Sequence, residues 1–438
     1  MVLVTGVGMS KGLSIAREFY CEGHDVIGAD FEPNRVPVCG RFSVALRKFY
    51  RLSKPTSESA KSAAKSSYIE ELLKIIEKEG VDLWVSCSGV ASAVEDAEAA
   101  GAVEKWSRCR VIQFGVANTK TLHEKHSFIH QAQAFGLNVP ETHYITSVDE
   151  VTEKLYSNKR KATSSKFILK CIGLDDAMRA DMTLLPLSSS EETQAHLSQI
   201  KPSVSKPFVL QQFIYGSEYC THSVVVGGVI ALFIACPSSE LLMHYKALSP
   251  TSAVFRAMQR YSQIYAEKMG EVTGQFSIDF ILGEDNSEPD LMSRLYPIEC
   301  NPRAHTAVVF FEQESESMVL AYLRAFNQKR NDPKEHIAVI NQPSTKGYYW
   351  IGHDIITRLV IPLSLTLTRR ADLASLVRSW KEFLEHVIYW KDGTYEVWDP
   401  WPFWCLYSVY WPGIFLATIL TRKWWSRCNV STTKLFRC

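Results

Sequence analysis

Three oxygen-bearing side chains at the ends of two apolar runs restrict this fold more than any other feature of the chain. Ser277-Ile278-Asp279-Phe280 carries one acid, and Pro297-Ile298-Glu299-Cys300-Asn301-Pro302-Arg303 carries an acid and an amide two residues apart. Side chains at i and i+2 of a strand share a face. Two such strands side by side aim Asp279, Glu299 and Asn301 at one point. Buried polar groups must find partners, so the chain has to bring them there together. An oxygen-only cluster suits Mg²⁺, which keeps several waters and shares its other positions with phosphate oxygens. Arg303 stands beside it as a fixed positive charge. The structural alternative is a closed hydrogen-bond network in which Arg303 pairs with Glu299.

With 438 residues, the chain holds two or three domains' worth of core. A composition of 46% hydrophobic and 22% charged residues is that of a globular protein. Net charge of +1, with no basic stripe interleaved with aromatics, gives no reason to expect a nucleic-acid partner. The eleven cysteines are scattered singly, which favours a reducing compartment. Cys87, Cys171 and Cys300 fall in apolar strand-like runs and read as small buried thiols. Met1-Val2-Leu3-Val4 opens directly as a strand, so a cytoplasmic protein without a cleaved leader is expected.

The first block alternates strand and helix. Met1 to Thr5 is a strand, Gly6-Val7-Gly8 a turn, and Leu13, Ile15, Ala16 and Phe19 mark a helix; Asp25 to Asp30 is a second strand. Arg51 to Ser67 is rich in Ser, Ala and Lys and reads as a loop. A helix follows from Tyr68 to Gly80, then the strand Leu83 to Cys87. This alternation predicts a parallel sheet covered on both faces. A second block from Asn118 is α+β. It comprises a helix from Thr121 to Phe135, short strands at Phe167 to Lys170 and Phe208 to Ile214, and a hairpin turning at Gly227-Gly228. A helix from Ser252 to Gly270 precedes the strand with Asp279. The expected division is 1–117, 118–205, 206–326, a linker at 327–347, and a C-terminal region at 348–438.

These residues resemble the ATP-grasp ligases. Tyr348 to Asp354 and Trp398 to Phe403 resemble the mycosporine-glycine-forming branch of secondary metabolism. The resemblance implies a Rossmann-like pre-ATP-grasp domain followed by two α+β subdomains that clamp ATP. Lys125, eleven residues before Gly136, is similar to the family's first phosphate-binding lysine, and Lys170, closing Phe-Ile-Leu-Lys, to the second. Alone, Lys125 reads as a surface helix lysine, whereas a lysine inside an apolar strand is unusual without an anionic partner. Gln211-Gln212-Phe213-Ile214-Tyr215-Gly216-Ser217-Glu218 resembles the nucleoside-holding hinge. There Gln211 would face the adenine amino group, the backbone of Gln212 and Ile214 would pair with the ring edge, and Glu218 would take the ribose hydroxyls. Asp279, Glu299 and Asn301 match the Mg²⁺ ligands, with Mn²⁺ as an alternative ion, and Arg303 matches the catalytic cation at the reacting phosphate.

Three departures stand out. The loop Cys171 to Arg179 has one glycine where the family has several, Gln211 replaces an acidic residue, and Ser277 stands where many relatives carry arginine. The implied activity joins an acid-like substrate, carboxylate or enol, to an amine or amino acid and releases ADP and phosphate.

Two other readings stay open. Gly6-Val7-Gly8-Met9-Ser10-Lys11-Gly12 with Asp30 imitates a dinucleotide fingerprint, which would make the chain an NAD(P)-dependent Rossmann oxidoreductase. Tyr265 and Lys268 miss by one residue the spacing of a hydride-transfer Tyr–Lys pair. Alternatively, the glycine-poor loop and Ser277 suit a non-catalytic, membrane-tethered ATP-binding protein. His305 and His353 are candidates for substrate contacts or structural hydrogen bonds. Phe403 to Leu420 is an uncharged run of about 27 Å as a helix, near the roughly 30 Å of a bilayer core. It reads as a membrane span, an interfacial anchor or a buried core element.

Overall fold

The computed structural model describes all 438 residues except 55–60, 88, 90–91, 157–164, 173–180, 239–242, 285–289, 327–336, 341–345, 423 and 438. Short, largely apolar strands open the chain, as the alternating pattern requires. Strands β1 (Val2–Thr5), β2 (Val26–Phe31), β3 (Lys48–Leu52), β4 (Leu83–Ser86) and β5 (Arg110–Ile112) form a parallel sheet in the order β3-β2-β1-β4-β5. Its connections are the helices α1 (Ser10–Cys21), α2 (Lys61–Glu79) and α3 (Ala93–Trp106). Helix α2 starts at Lys61, inside the run expected to be a loop, because Lys-Ser-Ala-Ala-Lys supplies helix formers ahead of Tyr68. Residues 55–60 of that run lie outside the described residues.

The second sheet is antiparallel. Helices α4 (Val116–His123) and α5 (Lys125–Ala134) lead into β6 (Thr142–Ile145), α6 (Val148–Tyr156), β7 (Phe167–Cys171), β8 (Leu184–Leu185), α7 (Ser190–Ile200) and β9 (Phe208–Gln212). The strand order is β6-β9-β7-β8, over a core that includes Phe167, Leu169, Leu197 and Leu210. The single helix expected from Thr121 to Phe135 is two. Glu124 takes an extended backbone, and its carboxylate accepts from the N–H groups of His126 and Ser127, so Lys125 becomes the first residue of α5.

The third sheet, also antiparallel, holds β10 (Gly216–Val226) and β11 (Val229–Pro237), then, after β12 (His244–Tyr245) and α8 (Ala253–Lys268), β13 (Gly274–Gly283) and β14 (Leu295–Asn301). The order is β11-β10-β13-β14. Gly227 and Gly228, at φ of 58° and 81°, supply the two positive-φ positions that a tight hairpin with right-handed twist needs. Phe276, Ile278, Phe280 and Cys300 bury one face against α8. Part of the expected linker is ordered, since Ala338 exchanges backbone hydrogen bonds with Ala231 and Phe233 and borders β11.

After α9 (Ser315–Leu323), the C-terminal region returns to the first sheet. Strands β15 (Tyr348–Tyr349) and β16 (Lys391–Asp392) join β12 in a small sheet. Between them, helical residues 351–367 and the helix Leu373–Tyr389 form a hairpin. The helix Trp401–Leu420 lays Cys405, Leu406, Tyr410, Trp411 and Ile414 into the main core. Both the first hairpin helix and Trp401–Leu420 accept an internal proline after a π-helical stretch, 355–360 before Pro362 and 406–410 before Pro412. The wider turn accommodates a residue that lacks an N–H and crowds the preceding carbonyl.

Helix α1 is consequently enclosed. The buried Arg17 guanidinium donates to Asp399 Oδ2 at 2.9 Å, to Thr394 O at 3.0 Å and to Asp399 O at 2.9 Å. Asp399 also accepts from Ser43 Oγ and Val44 N. All ten described cysteines are free thiols, and most are buried.

Candidate functional site

Cross-strand pairing sets the acidic end of the site. Asp279 on β13 lies directly opposite Glu299 on β14, and Ser277 opposite Asn301, on the face turned away from α8. Like charges directly opposite each other repel. The fold answers this with cations. Lys125, placed at the start of α5 by the Glu124 cap, makes an ion pair with Glu299. That ammonium holds the Glu299 carboxyl well below the usual carboxylate range, whereas burial and the facing Glu299 push Asp279 up. Asn301 donates to Glu299 Oε1 at 3.5 Å and accepts from Arg303 Nη2 at 3.2 Å. The buried Arg303 Nε has no partner.

The second sheet contributes the other side. Lys170 on β7 donates to Gln211 Oε1 on β9 at 2.7 Å, and Gln211 in turn donates to Thr142 Oγ1 at 3.3 Å. Burial, reinforced by the neighbouring Lys125, lowers the Lys170 pKa to about 8, while Glu299 and Glu218 oppose the shift. These mutual influences show that Lys125, Lys170, Glu218 and Glu299 share one electrostatic environment between the two antiparallel sheets. Glu218 is exposed near the start of β10 and accepts from Ser238 Oγ.

Two residues of the expected hinge have partners within the protein. The Gln211 side-chain oxygen accepts from Lys170. The Gln212 N–H donates to Glu141 O at 2.8 Å, because β9 pairs with β6 up to that point. Ile214 lies just beyond β9 and is half-buried. Arg179 and most of the glycine-poor loop lie outside the described residues.

His305 is buried, with Nδ1 accepting from Ala307 N and its own N–H directed to His222 Nδ1 at 3.4 Å. It caps the following short helix and packs its ring on Tyr245. His353 lies instead at the base of the C-terminal hairpin. There Asp354 bridges His244 at 2.6 Å and His386 at 2.5 Å, with His353 packed against the His244 ring.

The structure adds two residues that sequence reasoning passed over. Lys11, from the glycine turn, is fully buried and donates to Ala304 O at 2.9 Å. Burial and the nearby Arg303 push its pKa far down. His222 on β10 is buried with Nε2 unpartnered, and burial lowers its pKa to about 3. The signals were visible: a lysine inside a glycine turn, and a histidine inside an apolar strand. The arrangement concentrates cations and unmet donors beside an all-oxygen ligand set. Asp279, Glu299 and Asn301 therefore fit a hard divalent ion, and Lys125, Lys170 and Arg303 fit a polyanion.

The glycine turn itself is filled. Gly8 N donates to Asp30 Oδ2 at 2.7 Å, and Ser10 N donates to Ser431 O at 2.9 Å. A dinucleotide phosphate would need these N–H groups. Burial raises the Asp30 pKa to about 6, against the pull of the Gly8 and Phe31 N–H groups. Tyr50 and Lys54, also passed over, do have the four-residue spacing of a hydride-transfer pair, but Tyr50 is on edge strand β3 with its hydroxyl on Glu79.

Neither a family model nor a curated protein sequence matches the chain. Solved structures do match. An L-amino acid ligase from Bacillus licheniformis is similar at a TM-score of 0.51 and 13% identity, over 76% of this chain and 75% of that one. N5-carboxyaminoimidazole ribonucleotide synthetase from Thermus thermophilus gives 0.51 and 15%, over 78% and 81%. The fold is that of the ATP-grasp ligases. A biotin carboxylase domain of a thermophilic 2-oxoglutarate carboxylase, bound to bicarbonate, is similar at 0.52 and 12%, over 76% and 71%.

Proposed function

We propose that this chain is an ADP-forming ligase that phosphorylates an acid-like group of a small molecule and lets an amine or amino acid displace the phosphate. The convergence of Lys125, Lys170 and Arg303 on the opposed Asp279–Glu299 pair carries the reading. A substrate oxygen attacks the γ-phosphorus and ADP leaves. The amine nitrogen then forms its bond to the activated carbon, the carbon–oxygen bond to phosphate breaks, and the nitrogen sheds a proton. ATP carries about four negative charges, and the attacking group is itself anionic, so charge neutralisation is the main task of the protein. Asp279, Glu299 and Asn301 would hold Mg²⁺, which would offset part of that charge.

Lys125 and Lys170 would hold the phosphate tail. Arg303 would meet charge developing on the transferred group, with the buried Lys11 fixing the residue after it through Ala304 O. Holding the activated intermediate next to the amine supplies much of the second step's acceleration. Within this reading the acid is a carboxylate or an enol, and the pathway belongs to secondary metabolism. The segments Tyr348 to Asp354 and Trp398 to Phe403 support that finer assignment.

The test is incubation with ATP, Mg²⁺, pooled amino acids and small acids or enols, following ADP and phosphate. Substrate-dependent release of both is the expected outcome, and release of AMP and pyrophosphate would show adenylation instead. Arg303→Ala should lower kcat by about 100- to 1,000-fold, the usual loss for a donor aimed at developing charge. Arg303→Lys should recover part of it.

A further inference from the structure

The ATP site leaves the most exposed part of the molecule unexplained, namely the hairpin of helical residues 351–367 and the helix Leu373–Tyr389. Its two arms are joined by the Arg358–Glu382 ion pair and by Ser379 Oγ donating to Arg358 O at 3.0 Å. The base is clamped where Asp354 bridges His244 and His386. Beyond that base the first arm buries nothing: none of Ile355 to Leu367 is buried.

Many of the exposed residues are large and apolar. Leu367, Leu373 and Val377 are 75%, 66% and 58% exposed, among the highest values for large apolar residues in the protein. Along the first arm, Val360, Ile361, Leu363, Leu365 and Leu367 are all exposed. At about 100° per residue they spread over an arc of roughly 200° of the helix surface. A helix of a water-soluble surface keeps its apolar stripe turned inward, whereas this wide arc faces outward. An exposed apolar arc of that width suits a helix half sunk in an apolar medium.

Charge is distributed to match. Between residues 359 and 381 the cations Arg369, Arg370, Arg378 and Lys381 face a single carboxylate, Asp372, which is engaged in capping Ser375 N. Arg369 and Arg370 form the turn between the arms, and both are exposed. The helix Trp401–Leu420 adjoins the hairpin, since Phe403 lines one cavity with Val387 and Ile388. On its outer side it exposes Trp401 and Trp404, residues suited to a membrane interface.

We propose that this hairpin lies in the interface of one leaflet of a bilayer that carries anionic lipids, so that the protein is a monotopic membrane protein. The uncharged stretch 359–367 is roughly 13 Å long as a helix, under half of a bilayer core of roughly 30 Å, too short to span. The arms run along the membrane plane with apolar side chains in the acyl boundary. The Arg369–Arg370 turn, at the same level, binds lipid phosphates, and the exposed tryptophans sit at the headgroup level. The docking surface is therefore centred on the hairpin. The helix Trp401–Leu420, the one described helix long and apolar enough to cross a membrane, keeps its inner face on the protein core.

The experiment is flotation of the full-length protein with phosphatidylcholine vesicles with and without phosphatidylserine, alongside sedimentation velocity without lipid. The wild type is expected to float with vesicles, more strongly when phosphatidylserine is present. The triple variant Leu367→Glu/Leu373→Glu/Val377→Glu should float about tenfold less or worse. Its melting temperature should be unchanged, because all three positions are exposed. Arg369→Glu/Arg370→Glu should remove the phosphatidylserine preference. Unchanged flotation of the triple variant would overturn the proposal. So would absence of flotation in the wild type together with self-association that the triple variant abolishes, which would make a second copy of the chain the occupant.

Discussion

Asp279 shows how individual residues of the site are held against their own preferences. It is buried, directly opposite another carboxylate, and both conditions favour its neutral form. Removing its charge should relieve the protein while disabling it. Asp279→Asn is expected to abolish ADP release yet leave the melting temperature at or above that of the wild type, a stability–function conflict usual at active sites; a large fall in melting temperature would refute this. Lys170 gives a pH signature. Its pKa in the folded chain, about 8, lies below the roughly 10.4 of an unfolded lysine, so the folded state releases its proton first. The penalty for burying the ammonium applies below about pH 8 and fades as pH rises toward 10.4, so stability contributed by this group rises over that window. ATP affinity should move the other way, weakening between pH 7 and 9.5 as the cation discharges, and Lys170→Arg should flatten that dependence in a binding titration. Much of this was legible in residue types: Asp279, Glu299 and Asn301 announce themselves as polar ends of apolar strands. Lys11 and His222 carried a local signal, a lysine in a glycine turn and a histidine in an apolar strand, but their roles depend on the glycine turn and β10 being brought beside Arg303, which no local pattern encodes.

Lys125 depends on an element boundary. Glu124 breaks what would be one helix and caps the next, which sets the lysine at the opening turn, facing Glu299. Glu124→Ala should cost about 1 kcal/mol, as loss of an N-cap does, and it should raise KM for ATP with kcat nearly unchanged. Equal KM values would separate the cap from lysine placement. The break could not be read from sequence, since Thr121 to Phe135 keeps a helical pattern throughout and glutamate is an ordinary helix residue. The hairpin at Gly227-Gly228 was readable because two adjacent glycines have a specific backbone use. The long apolar run Phe403 to Leu420 left a membrane span, an interfacial anchor and a buried core element equally open, because its length alone could not reveal that one face is buried on the protein core. Residues 351–389 drew attention only for the motif Tyr348 to Asp354, because charged residues spaced along the second arm disguise how apolar the first arm is.

At the scale of the whole molecule, three sheets are sewn together by a C-terminal region that ends where the chain begins. Parallel and antiparallel sheet types followed from the spacing of strands and helices, whereas strand order and the return of residues 391–437 to α1 did not, since both are long-range. The Arg17–Asp399 pair is the strongest of these stitches: buried, and satisfied on both partners. Asp399→Ala strands a buried guanidinium and should cost about 3–5 kcal/mol, seen as a large drop in denaturation midpoint. A drop no larger than that of an exposed pair would remove it from this role. The Ser10–Ser431 contact has a consequence for biosynthesis. The first helix cannot acquire its final partners until the segment around Ser431 has left the ribosome. The N-terminal sheet must wait, incompletely covered, while the residues between Cys21 and Ser431 are made, with the apolar faces of β1 and α1 open to chaperones. Emergence of the segment around Ser431 therefore completes the N-terminal sheet as well.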